Sequence, residues 1–212
     1  MATFSQIKTL IANKLNESYL ESQIGDVVNS VIRYYSRYHF WFNEESTTIT
    51  LTASVAAVPS IPSNFLYEAE DNGLVVLDSG SYFALRKVTN SEYDRLNDGG
   101  TGRPDVYRNR DGSLELYYLP DQAYTLYLLY VKKYSDLSAD GDTNDFTNYA
   151  ERLVVNRVLE EMYRDNRKDM ERSAVYRQIC EDELSNILYE SNRRRRTGQL
   201  DIEDISQGNM TI

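Results

Sequence analysis

One cysteine, one histidine and four prolines are all that the 212 residues contain of those types. A single thiol, Cys180, excludes an internal disulfide framework, and with His39 as the only imidazole no metal site built mainly from Cys and His can form. No uninterrupted apolar run approaches the roughly 18 residues that a membrane span needs, so no membrane role is expected. The opening Met1-Ala2-Thr3-Phe4-Ser5-Gln6-Ile7-Lys8 has no basic segment leading into an apolar stretch, and the expectation is a chain made in a cytoplasm. Basic residues are also short: 23 Lys and Arg against 33 Asp and Glu leave a net charge of −10, which disfavours adhesion to phosphate backbones.

What the chain does have is tyrosine, with 18 copies beside 6 Phe and 1 Trp. Tyrosine joins a large apolar ring to a polar tip and is enriched where one side is packed and the other wet, which points to interfaces.

Periodicity divides the sequence. Phe4, Ile7, Leu10, Ile11 and Leu15 recur at helical spacing behind a Thr3 cap, and Ile24, Val27, Val28, Val31, Ile32, Tyr35 and Tyr38 hold one face of a second helix over 18–38. From Glu45 the pattern alternates. Thr47–Thr52 predicts a strand, Pro59 and Pro62 interrupt, and further strands are predicted over 74–77, 82–88, 105–107, 114–119 and 124–130. Asp111-Gly112 marks a hairpin turn, and 90–96 a short helix before the glycine-rich 98–102. A third helix carries Tyr149, Ala150, Leu153, Val154, Val158, Leu159 and Met162 on one face; a fourth spans 168–196 with Ala174, Tyr176, Cys180, Leu184, Ile187 and Leu188. The expected fold is α+β: a four-helix bundle core from 1–40 and 144–196, a mostly antiparallel β-sheet insertion over 41–143, and an extended C-terminal tail over 197–212. Residues 41–150 carry 8 basic and 17 acidic residues, so the acidity sits there and on the tail.

Candidate chemistry is sparse. His39, among aromatics, reads as packed or interfacial rather than as a general base. Cys180 lies on an apolar helical face and reads as a small hydrophobe. Asp98-Gly99-Gly100-Thr101-Gly102 lacks the Gly-Lys-Ser/Thr of a phosphate cradle. Asp140, Asp142, Asn144 and Glu151 share the spacing of an EF-hand loop, but Asp145 stands where that loop needs glycine, so helix capping explains them better than calcium. Arg193-Arg194-Arg195-Arg196 meets either DNA phosphates or an acidic partner, or else complements the end of its helix; both readings stand. Leu200, Ile202, Ile205 and Ile212 are spaced through an acidic tail of the kind that orders on a partner.

With no enzymatic constellation and no cofactor expected, the arrangement itself is informative. Tyr34-Tyr35 leads into Phe40-Trp41-Phe42. The Thr-rich strand then runs to Val58-Pro59-Ser60-Ile61-Pro62-Ser63-Asn64-Phe65. Leu116-Tyr117-Tyr118-Leu119-Pro120 precedes Tyr124-Thr125-Leu126 and Tyr130, and Thr143-Asn144-Asp145-Phe146 opens the third helix. Glu171-Arg172, Ala174, Tyr176 and Glu183-Leu184 follow on the fourth. In these features the chain resembles the head-to-tail adaptor (head completion, or neck) proteins of tailed bacteriophages, the short-tailed type in particular.

The resemblance implies a virion structural protein, not an enzyme. It implies a homo-dodecameric ring docked beneath the portal protein, closing the DNA-filled head and offering a platform to tail or nozzle proteins below, with DNA passing through unread. It implies that the C-terminal segment reaches along the portal, giving Leu200, Ile202, Ile205 and Ile212 a partner. Tyr38, Phe40, Trp41 and Phe42 are the candidate subunit interface, and Arg193–Arg196 the candidate contact to DNA or partner. The competing readings are a soluble assembly or scaffold module using the same tyrosine-rich surfaces, and a calcium-binding hydrolase using Asp140, Asp142, Asn144 and Glu151.

Overall fold

The structure, a computed structural model, describes residues 2–16, 21–69, 73–96 and 100–207; side chains are described for these except Glu21 and 196–207. The chain forms two compact units, Met1–Asn43 with Tyr134–Ile212, and Glu44–Lys133.

The first unit is helical. Helix α1 (Phe4–Leu15) opens on a capping box: the Thr3 hydroxyl accepts from the Gln6 amide and the Gln6 side chain accepts from the Thr3 amide. It ends at Asn16 in a left-handed conformation. Helix α2 (Glu21–Tyr35) is shorter than its hydrophobic stripe, because Ser36, Arg37 and Tyr38 turn the chain instead of extending it. The predicted third helix is two helices. The Asn144 side chain caps α4 (Asp145–Tyr149), the backbone leaves helical geometry at Ala150 (φ −132°, ψ 26°), and α5 (Glu151–Asp165) restarts. The break lets Phe146 and Thr147 be buried while Tyr149 turns outward, 52% exposed. Helix α6 (Met170–Gln207) passes through Thr197-Gly198, so the backbone beyond Arg196 is helical to Gln207 and not an extended tail. Residues 197–207 carry Leu200, Ile202 and Ile205 in helical conformation, with no proline to stop propagation. Ile212 lies outside the described residues.

Helix α5 packs against α1, α2 and α6. Their shared core includes Ile7, Ile11, Ile24, Val28, Leu153, Val154, Val158 and Leu159, all fully buried. The segment 134–143 belongs with these helices: Leu137 is in the core, Asn29 exchanges hydrogen bonds with the Leu137 backbone, and Asp136 pairs with Arg33.

The second unit is a pair of sheets. Its strands are β1 (Glu44–Thr50), β2 (Phe65–Glu68), β3 (Leu74–Asp78), β4 (Ser81–Ala84), β5 (Arg86–Lys87), β6 (Val106–Arg110), β7 (Ser113–Tyr117) and β8 (Thr125–Lys132), with helix α3 (Asn90–Tyr93) between β5 and β6. Five strands form one sheet in the order β1-β8-β3-β4, with β2 also on β8; β5-β6-β7 form the other. Pairing is antiparallel except for β5 with β6. The predicted single strand over 82–88 splits at Leu85 between the two sheets, which accounts for the parallel pairing of β5 with β6.

The hairpin turns are where sequence chemistry is plainest. Asp111-Gly112 (φ 51° and 83°) and Ser79-Gly80 (φ 50° and 82°) both hold the positive φ values that match strand twist, and glycine takes the second without strain. Alternate residues Ile49 and Leu51, Leu74 and Val76, and Leu126, Leu128 and Tyr130 point into a core shared with Tyr107, Leu114 and Leu116 of the smaller sheet. Among the described residues no helix is long and apolar enough to cross a membrane.

Candidate functional site

The two local anomalies of the sequence are the aromatic run after α2 and the arginine run near the end of α6. The structure brings the two together, although they are about 150 residues apart in the chain.

The aromatic turn is shaped by Asn43, a fully buried residue that sequence reasoning passed over. Its side-chain carbonyl accepts from the Phe40 amide (2.9 Å) and its amide donates to the Tyr38 carbonyl (2.8 Å), closing residues 38–43 into a tight loop. The loop throws its rings to alternate sides. Phe40 and Phe42, 0% and 6% exposed, stack on each other at 5.1 Å and meet Phe146 edge-on, so both are core residues of their own helical unit. Tyr38 and Trp41 remain at the surface, Trp41 against Tyr149 with centroids 4.7 Å apart. Of the four candidate interface aromatics, then, two are spent inside the helical unit and two are half-buried at its surface.

Helix α6 fastens onto this loop. The Ser191 hydroxyl accepts from the Trp41 amide (3.2 Å) while donating to the Ile187 carbonyl (2.7 Å). Arg194 sits over the Trp41 indole, its guanidinium carbon 3.8 Å from the ring centroid, and pairs with Glu190 at 2.7 Å. Arg195 meets Nδ1 of His39 at 3.1 Å. His39 is therefore a packing partner of an arginine, as its aromatic surroundings suggested. Arg194 and Arg195 are thus engaged within the chain; the Arg193 side chain is exposed, and that of Arg196 is outside the described residues.

A second charged cluster lies between α5 and α6. Glu160, its side chain 1% exposed, receives Arg157 at 2.5 Å and Arg177 at 3.1 Å, with Arg164 at 3.8 Å. Burial, with Glu160 nearby as a lesser cause, pushes the Cys180 thiol up to about 12, so it is a neutral, poorly nucleophilic group. Burial likewise raises the Tyr35 phenol.

The carboxylates with calcium-loop spacing are used locally. Asp140 pairs with Lys8 at 2.9 Å. One oxygen of Asp142 accepts from the Ser138 and Ala139 amides at 2.7 and 2.8 Å, and these backbone bonds hold its pKa below the usual carboxylate value. Asn144 caps α4, and Glu151 opens α5. Among the described residues no three His, Cys, Asp or Glu side chains are placed to hold a metal ion.

A cleft of about 670 Å³ runs along the helical unit, lined by Leu10, Lys14, Tyr149, Arg152, Val155 and Tyr176 among others. Like the aromatic loop beside Tyr149, it offers rings, guanidinium planes and aliphatic stems. The sequence matches the SU10 adaptor protein family over residues 2–203, and the chain belongs to that family of phage adaptor proteins, components of the virion. No curated protein matches it.

Proposed function

We propose that the chain is the repeating subunit of a head-to-tail adaptor of the short-tailed phage type, in which twelve copies form a ring under the portal, close the filled head and give tail or nozzle proteins their platform. The observation that carries this reading is the family match, which extends through both units and along most of α6. The four long helices serve as a bundle core at the ring's subunit contacts, and the β unit is a second module.

The distribution of tyrosine supports it. Tyr34, Tyr149 and Tyr189 on the helical unit and Tyr82 and Tyr118 on the β unit are exposed, as a repeated heterologous contact requires of large, half-wet side chains. Tyr38 and Trp41 belong to that contact. The end of α6, with Leu200, Ile202 and Ile205, and Ile212 beyond it, is the portal-binding element. Arg193, Arg194, Arg195 and Arg196 are the contact to DNA or a neighbouring protein, with Arg194 and Arg195 also positioning the helix. The acidic β unit lets DNA pass without adhesion.

Mixing purified protein with portal rings and imaging the product tests the reading. The expected result is a twelve-fold collar on one end of the portal. Portal rings that stay bare at saturating protein overturn it.

A further inference from the structure

The strand path of the larger sheet ends in two open edges, β1 and β4, which among the described residues pair only with β8 and β3 respectively. The phase of the ladder fixes which backbone groups they expose. The Leu51 amide donates to the Tyr124 carbonyl, one step beyond the Thr50–Thr125 pair. Because bonded pairs alternate in antiparallel strands, Thr47 and Ile49 bond β8 while Ser46, Thr48 and Thr50 direct their N–H and C=O groups away from it. On the far side the Leu85 amide donates to the Leu74 carbonyl, next to the Ala84–Val75 pair. Ser81 and Phe83 therefore bond β3, and Tyr82 and Ala84 point outward.

All five outward-pointing residues are exposed and uncharged. Between Ser46 and Thr50 there is no lysine, proline or bulge, the usual means of blunting an edge. The surrounding unit is acidic, with 13 acidic and 8 basic residues over 44–133. A second copy approaching it is repelled broadly, and these two stretches are free of carboxylates. Charge also chooses an orientation. Glu44 and Glu45 stand at the start of β1, and Arg86 follows two residues after the end of β4. Those charges come together only if the two strands run antiparallel. Strand directions alternate across β1, β8, β3 and β4, so a copy displaced sideways along the sheet presents β1 to β4 in that antiparallel sense.

We propose that β1 of one copy adds antiparallel to β4 of the next, so that the sheet continues from subunit to subunit and forms part of the ring's subunit interface. The contact is heterologous, each copy using two different edges, which suits a closed ring. The backbone supplies the affinity and the uncharged outward side chains permit the approach. This inference rests on the reading of the chain as a ring-forming adaptor.

Hydrogen–deuterium exchange compares free protein with the portal-bound assembly. The expected result is at least tenfold slower exchange at the amides of Ser46, Thr48 and Thr50 and of Tyr82 and Ala84, whose alternate neighbours are already protected when free. Two variants accompany it, Thr48→Pro and Ala84→Pro, each removing an outward N–H and no ladder bond. Both are expected to keep the wild-type circular dichroism and to load fewer copies per portal by native mass spectrometry. Full rings with unchanged edge exchange, or with both proline variants loading like wild type, overturn the edge pairing and leave the ring reading standing. Protection of β1 without β4 assigns that edge to a portal or tail strand and overturns pairing between copies. A wild-type protein that forms no multimer on the portal removes the ring reading and the edge pairing with it. Should a proline variant misfold, the exchange comparison on wild-type protein decides alone.

Discussion

Replacing Glu160 with glutamine is the sharpest probe of what holds α5 and α6 together. The side chain is 1% exposed, and its two oxygens take Arg157 at 2.5 Å and Arg177 at 3.1 Å. Glutamine keeps the shape, loses the charge and turns an NH₂ group toward one of two guanidinium donors. Charge-assisted hydrogen bonds contribute about 1.5–3 kcal/mol each, and leaving a buried partner unpaired costs more than the bond itself. The arginines moderate the loss, since Arg157 is 25% and Arg177 52% exposed and each can turn to water. The net expectation is about 2–4 kcal/mol, or a melting temperature lower by about 6–12 °C for a chain of this size. Urea unfolding followed by tryptophan fluorescence is the assay, because Trp41 is the only tryptophan and lies in the same unit as Glu160. Arg152→Ala is the control. Its pair with Glu183 has a guanidinium 74% exposed, and a loss of at most about 0.5 kcal/mol is expected. A Glu160→Gln loss below about 1 kcal/mol, or one no larger than the control's, refutes the assignment of the cluster as a buried, stabilising junction.

The Cys180 thiol stays protonated in the native protein to about pH 12 but ionises near pH 8.5 once unfolded, so above that pH the unfolded chain binds fewer protons and stability falls as pH rises. Between pH 8.5 and 10.5 Cys180→Ala should flatten the pH dependence of the urea midpoint, and a thiol reagent at pH 8 should label wild type only in denaturant; prompt native labelling contradicts the burial. Arg194→Ala, which lifts the guanidinium off Trp41, should cost about 0.5–1 kcal/mol and change the native emission spectrum. An unchanged spectrum contradicts the stacking.

Sequence legibility followed the range of the interactions. Helix α1 was visible because its stripe, its Thr3 cap and the Gln6 partner all lie within four residues. The Asp111-Gly112 hairpin was visible for the same reason, since two residues carry the turn's whole requirement. Strand β2 was not, because Phe65–Glu68 follows Pro62 closely and owes its conformation to β8, more than sixty residues away. The break at Ala150 was hidden by an unbroken hydrophobic period; it arises from burying Phe146 against Phe40 and Phe42, a tertiary demand. At the candidate site each half was legible as an anomaly, aromatic or basic. Their meeting depends on Ser191 and Asn43, ordinary polar residues whose roles exist only in three dimensions.

The placement of one unit inside the sequence of the other sets an order of events during synthesis. Residues 44–133 are contiguous, and the β unit can complete its sheets as soon as β8 has left the ribosome. Helices α1 and α2 must wait for α5, which ends about 130 residues after Tyr35. At about 5–20 residues per second that interval is roughly 6–26 s. Throughout it Ile7, Ile11, Ile24 and Val28 have no α5 to cover them. A nascent chain of this protein thus carries an exposed apolar hairpin ahead of a finished domain, which makes the N-terminal 43 residues the natural handle for a chaperone and the segment where premature association between neighbouring nascent chains begins.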